Sequence, residues 1–239
     1  MTLIKKLSCF VFSVWIGLLS GNAPVLAQEN KPAVTQESAT DKDAAYTRTL
    51  TQRANKIVKT LNLLDESKAT KVQNIIVQQY RDLNEIHSDR DARVKAAKAN
   101  ASPNKVAAEA EVKKIEEKAM GKLNKQHGKY LAKLAGQLTA AQVDQVKDGM
   151  TYGVLPITYN GYLAMLPDLT EPQKAFIMSS LVEAREKAMD AESSEKKHGW
   201  FGKYKGRINN YLSSAGYDLK KAGEDWDKRI KAEAAAKAK

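Results

Sequence analysis

The chain predicts an all-α fold, a multi-helix bundle with one long charged helical hairpin, and three observations predict it. Apolar residues recur at three- and four-residue intervals from about Asp43 onward, the period of helices with one buried face. Asp, Ser or Thr stands just before several of these stretches, where a side-chain oxygen caps free amides. Thirteen Gly and six Pro in 239 residues are too few for a low-complexity or collagenous chain.

The first thirty residues read as an export signal. Lys5 and Lys6 precede an apolar run from Leu7 to about Leu19, and Val25-Leu26-Ala27 has the small-residue pattern of a cleavage site. The run is too short for a mature membrane span, so residues 1–27 are expected to be removed, leaving no transmembrane segment. Cys9 stands at the start of the run, whereas a lipidated Cys would follow it. Cleavage leaves 37 basic and 28 acidic residues, a net of +9, and removes the only Cys. A Cys-free protein of the periplasm or the extracellular space must bury a real core to be stable. Residues 28–42 are polar and non-periodic, as in a flexible leader.

The helices follow in order. The first carries Tyr46, Leu50, Ile57, Val58 and Leu61 on one stripe. The second, about Glu66 to Lys98, carries Val72, Ile75, Ile76, Gln79, Leu83, Ile86, Arg90 and Val94. Ser102-Pro103 restarts the chain with a cap and a Pro at the first helical position. The third helix, about 103–135, carries Val106, Ile115, Leu123, Leu131 and Leu134, and Gly136 ends it. Residues 88–128 are dense in Lys, Glu and Ala, which suits the solvated tip of the hairpin or a polar arm that meets a partner.

One pattern recurs three times: Leu64-Asp65, Leu138-Thr139 and Leu169-Thr170. Each pair precedes Lys68, Gln142 or Gln173, and each has an apolar residue eight positions after the Leu, namely Val72, Val146 and Ile177. These are helix starts, with the Leu expected to pack back onto the helix. The Leu-Thr-x-x-Gln form also resembles the signature of small periplasmic chaperones of the Spy and CpxP type. Between the second and third copies the rhythm breaks at Asp148–Tyr159, and a short piece from Tyr159 to Leu166 ends at Pro167. A helix from Glu171 to about Ala191 and one over Ser194–Ser213 follow. Asp218 caps the last, with Leu219, Ala222, Trp226 and Ile230 inward, and residues 232–239 read as a disordered tail.

Aromatic residues locate the candidate site. Residues 28–149 hold only Tyr46, Tyr80 and Tyr130, while residues 150–226 hold ten aromatic side chains. On the helix at 194–213, Trp200, Tyr204 and Tyr211 fall on one stripe, with Lys203, Arg207 and Asn210 beside it and Gly199, Gly202 and Gly206 in a third sector. Rings that stack on sugar C–H faces, next to polar groups that bind hydroxyls or a carboxylate, suit carbohydrate. The same stripe suits a core, with the Gly sector as a tight helix contact. Tyr152 and Tyr159 in the Gly-rich break form a second candidate, either loop site or bundle corner.

Other chemistries find no motif. His87, His127 and His198 are far apart in sequence, and His87 with Asp91 suits a surface pair, so neither a metal nor a cofactor is expected. Nucleophile elbows and phosphate-cradling Gly loops are absent from the sequence. An exported protein rarely meets nucleic acid as a target, so a charge of +9 points to anionic polysaccharide or the cell envelope. In an enzyme, a lyase or glycosidase, His198, Tyr152, Tyr159, Lys203 and Arg207 would supply acid-base and carboxylate-binding groups.

Three segments carry a broader resemblance: Gln145–Gly153, Tyr159-Asn160-Gly161-Tyr162 on to Leu166-Pro167, and Ala188-Met189-Asp190-Ala191 through Trp200–Tyr211. Over about residues 45–227 the chain resembles a secreted helical family of unknown function from carbohydrate-degrading Gram-negative bacteria, to which sugar binding is ascribed. The resemblance implies an all-helical fold and a link to polysaccharide use, and it brings no catalytic residues. The expectation is an exported carbohydrate-binding accessory protein, with acidic glycans favoured. The Spy/CpxP-type chaperone and the polysaccharide-degrading enzyme are the alternatives.

Overall fold

The structure is a computed structural model and describes residues 39–100 and 105–237. The expected signal at 1–27, leader residues 28–38 and the Ser102-Pro103 restart lie outside the described residues. Among those described there are eight helices and no strand: α1 Ala39–Thr60, α2 Glu66–Ala99, α3 Lys105–Ala135, α4 Ala140–Met150, α5 Val154–Met165, α6 Glu171–Met189, α7 Ser194–Ser214 and α8 Leu219–Lys237.

α2 and α3 run antiparallel as the long hairpin, tied by Lys122 to Asp89 at 2.9 Å and by Gln126 to Asp82 at 2.6 Å. Its base joins α1 and α4 around a first core of Ala54, Ile57, Val72, Ile76, Tyr130, Leu134, Val146 and Met150. A second core holds Leu155, Tyr162, Ile177, Leu181, Phe201, Ile208 and Leu212 from α5, α6 and α7, with Leu219 and Ala222 of α8 packed at its edge. Met189 at the end of α6 belongs to the first core, so α6 spans both.

The three repeated helix starts behave alike in their caps. Asp65 accepts from the Lys68 amide at 3.1 Å, Thr139 and Gln142 form a capping box, and Gln173 accepts from the Thr170 amide at 2.9 Å. Val72, Val146 and Ile177 are each fully buried, and each contributes about 1.5–3 kcal/mol in apolar burial. The preceding Leu residues differ. Leu138 and Leu169 pack inward, but Leu64 is 100% exposed, while Leu61, just past the end of α1, is buried in the same core as Val72.

Other expectations need correction. The break at 148–159 is only three residues long: α5 begins at Val154, and Pro156 fits its first turn, where the missing N–H has no intrahelical partner anyway. Val106 is 76% exposed near the hairpin tip and Ile230 is exposed on α8, so neither joins a core. His87 is buried rather than in a surface pair with Asp91, which instead pairs with Arg90 at 2.7 Å. Helical structure starts at Ala39 and continues to Lys237, beyond the expected limits at both ends.

A polar seam runs between the cores. Arg185 of α6 is buried and donates to Asp148 at 2.8 Å and Asp144 at 2.6 Å. Lys147 meets Glu186 at 3.1 Å. His127 of α3 lies between Asp190 at 2.8 Å and Glu186 at 3.3 Å. These pairs fix how α4 and α3 dock on α6, since removing one partner would leave a buried charge uncompensated.

Candidate functional site

A cleft of about 520 Å³ opens where α1, α2, the end of α4 and the α6–α7 connection meet. Its position depends on Gly149. A Cβ there would stand 2.9 Å from Ile57 Cγ1 and 3.1 Å from Cγ2, so only Gly lets α4 come this close to α1. The chain then turns sharply. The buried Thr151 hydroxyl donates to the Lys147 carbonyl at 2.9 Å, and Gly153 N–H returns to the Asp148 carbonyl at 2.8 Å.

Two consecutive left-handed residues make this turn, Tyr152 at φ 60° and Gly153 at φ 65°. Gly adopts that region freely, whereas a Tyr there costs about 1–3 kcal/mol. The turn places the Tyr152 ring at the cleft mouth, 54% exposed and stacked on His198 with centroids 5.4 Å apart. His198 Nδ1–H donates to the Ser194 carbonyl at 2.8 Å, which leaves Nε2 as an acceptor when the ring is neutral.

Lys197 forms the floor and is 6% exposed. Its Nζ donates to the Met150 carbonyl at 3.1 Å and the Met189 carbonyl at 3.3 Å, the last residues of α4 and α6. Two helix C-termini thus supply partial negative charge to one ammonium. Burial lowers the Lys197 pKa to about 8, with Arg53 acting in the same direction and Asp190 against it. The Tyr80 ring lies 5.9 Å from Nζ, and burial raises its phenol pKa to about 12.

Arg53 and Lys56 line the same cleft from α1, and neither is paired with a carboxylate among the described residues. Glu192 is the one acidic residue lining it, and that carboxylate is engaged by Arg90 at 2.9 Å and by Lys196. The cleft therefore presents the cations of Arg53 and Lys56 above the buried Lys197, and its walls include the rings of Tyr46, Tyr80 and Tyr152. Arg81 lies 5.7 Å over the Tyr46 ring, so that ring, like Tyr80, also serves an internal cation.

The sequence-predicted residues do not converge on one place. Tyr152 and His198 meet at this cleft mouth. Trp200 lines a second cleft, of about 530 Å³, together with His87, His127, Glu186, Asp190 and Glu192. Lys203 sits 5.3 Å over the Trp200 ring. Arg207 bonds Glu183 at 3.0 Å and lies 5.5 Å over Phe176 and 6.0 Å over Tyr204. Tyr211 stacks on Phe176 at 4.0 Å, so the stripe borders the second core and its ring faces carry the protein's own cations.

Asn210 is exposed, and Tyr159 is half-buried against the second core. The Gly sector is no tight helix contact, since a Cβ at Gly199, Gly202 or Gly206 would meet nothing within 4 Å. Arg53, Lys56 and Lys197 stand in the sequence without any mark of a site, and Tyr46 and Tyr80 stand there as isolated aromatics of the first half, away from the aromatic-rich stretch.

Among the described residues no group of three or more His, Cys, Asp or Glu could hold a metal ion, and no helix is long and apolar enough to cross a membrane. Comparison with curated proteins finds no match. Residues 47–232 match a family described as a protein of unknown function, DUF3826, and the chain belongs to that family.

Proposed function

We propose that the chain is an exported carbohydrate-binding accessory protein of polysaccharide use, and that an acidic glycan binds in the cleft floored by Lys197. The observation that carries this reading is the pair of cations, Arg53 and Lys56, lining a ring-walled cleft without a carboxylate partner among the described residues. Sugar rings present C–H faces that stack on Tyr side chains, and uronate carboxylates accept charge-assisted hydrogen bonds from Arg and Lys. The export setting comes from the signal pattern at residues 1–27. A chaperone would need a continuous exposed apolar hollow, whereas the exposed Leu64, Val106, Met120, Ile157 and Ile230 are spread over α3, α5, α8 and the turn before α2.

Affinity electrophoresis in gels containing polygalacturonate, alginate or a neutral glucan tests the reading. Retardation is expected on at least one acidic polymer, weakening with salt, and none on the glucan. The double variant Arg53→Ala/Lys56→Ala should lose about tenfold or more in affinity, the scale of one or two charge-assisted bonds. No retardation on either acidic polymer, or equal retardation of the double variant, refutes the site.

A further inference from the structure

We propose that the cleft catalyses β-elimination on the uronate glycan it binds, with Lys197 as the base and Tyr152 as the acid. This inference rests on the binding reading above. In such a step a cation pair neutralises the sugar carboxylate and so acidifies the C–H next to it. The base takes that C5 proton. The electron pair left behind forms the C4=C5 double bond, the C4–O4 bond breaks with its pair going to oxygen, and the acid protonates that oxygen. Solvent then restores both groups, and the products are one unsaturated uronate and one new sugar end.

The geometry supplies each part. Arg53 and Lys56 can face the carboxylate from α1. The two carbonyl bonds of Lys197 occupy two tetrahedral positions of Nζ, at 3.1 and 3.3 Å, and hold the atom in place. In the neutral amine both N–H bonds are spent on these carbonyls, so the lone pair takes a remaining position. Burial holds the Lys197 pKa near 8, which leaves about a tenth of it neutral at pH 7. The charged and titratable groups around it are Tyr46, Arg53 and Lys56 of α1, Tyr80 of α2, Asp190 and Glu192 of the α6–α7 connection, and Tyr152 with His198. Tyr152 stands at the exposed mouth, where its phenol can regain a proton from water.

The lining also selects elimination over hydrolysis. Hydrolysis of a glycosidic bond ordinarily uses two carboxyl groups flanking the bond. Glu192, the one acid here, is already engaged by Arg90 and Lys196. Elimination needs a cation, a base and a proton donor, and no carboxyl group.

The test incubates the full chain with polygalacturonate, alginate and hyaluronan and follows ultraviolet absorbance of unsaturated uronate from pH 6 to 10. Gel retardation on each polymer is measured in parallel. Wild type should release product from at least one polymer, its rate rising about tenfold between pH 7 and 9 as Lys197 becomes neutral. Lys197→Arg, which keeps the charge and can reach both carbonyls, should lose about 100-fold in product while retardation falls less than about fivefold. Tyr152→Phe should also lose about 100-fold in product, an outcome that does not depend on whether Lys197→Arg folds. Retardation without product on all three polymers overturns elimination and leaves the binding reading standing. Neither retardation nor product overturns both. Product undiminished in a folded Lys197→Arg protein, or a rate flat from pH 6 to 10, overturns the role of Lys197.

Discussion

Replacing His127 with Gln should remove a pH-dependent share of stability. Both ring nitrogens of His127 meet carboxylates, Asp190 at 2.8 Å and Glu186 at 3.3 Å, so the imidazolium is the favoured form. The Asp190 bond first, then the Glu186 bond, outweigh burial and raise the His127 pKa from 6.5 to about 9. A pKa raised on folding stabilises the protein fully below the unfolded value, and that contribution disappears as pH rises through the folded value. The window is thus pH 6.5 to 9, and the contribution, reduced by solvent screening of a partly exposed ring, is at most about 3 kcal/mol.

Lys197 acts in the opposite sense. Its pKa is depressed on folding from 10.5 to about 8, so its neutralisation adds stability from pH 8 to 10.5. The wild-type curve should therefore fall from about pH 6.5 and flatten near pH 8. The difference between wild type and His127→Gln isolates the histidine. Urea denaturation at half-unit steps from pH 6 to 10 should show that difference shrinking by about 2–3 kcal/mol across the window. A difference that stays constant from pH 6 to 10 would refute the assignment of a folded imidazolium.

Three further outcomes are expected. Gly149→Ala should destabilise by about 1–2 kcal/mol in chemical denaturation, since overpacking against Ile57 exceeds the helix-propensity gain, and Ile57→Ala should relieve part of that cost in the double variant. Tyr152→Gly should leave stability unchanged or raise it by about 1 kcal/mol, by releasing the left-handed strain, while it weakens gel retardation on acidic polymer. Burial raises the pKa of Glu186 and Glu192, but bonds from His127 and Lys147, and from Lys196 and Arg90, outweigh it and hold both at about 2. Their contribution is present above about pH 4.5 and lost as pH falls through 2, so an acid titration followed by circular dichroism should show unfolding in that range.

Local physics made much of the fold legible. Capping at Asp65, Thr139 and Thr170, and the burial of Val72, Val146 and Ile177, follow from helix chemistry within nine residues of chain. Leu64 shows the limit: its motif matches Leu138 and Leu169, yet it is fully exposed while they are buried, so the local motif alone does not decide whether a staple closes. The cleft was less legible because four segments build it. Lys197 stands in a Glu-Lys-Lys run typical of a solvated face, and only the meeting of the α4 and α6 C-termini makes it a buried floor. The aromatic stripe on α7 is visible in the sequence, but the partners of its side chains, Phe176 for Tyr211 and Glu183 for Arg207, belong to α6.

The short connection between α6 and α7 has a practical consequence. Ala191 and Glu192 line both clefts, so the two hollows meet at this connection. The Glu192 carboxylate braces that connection through Arg90 on one helix and Lys196 on another. A charged occupant of either hollow meets the same Glu192 carboxylate, which attracts a cation and repels an anion on both sides. A lesion at Glu192 would register in assays of both hollows at once. Mapping by substitution therefore has to begin with residues that face one side only, Arg53 for the first hollow and Trp200 for the second.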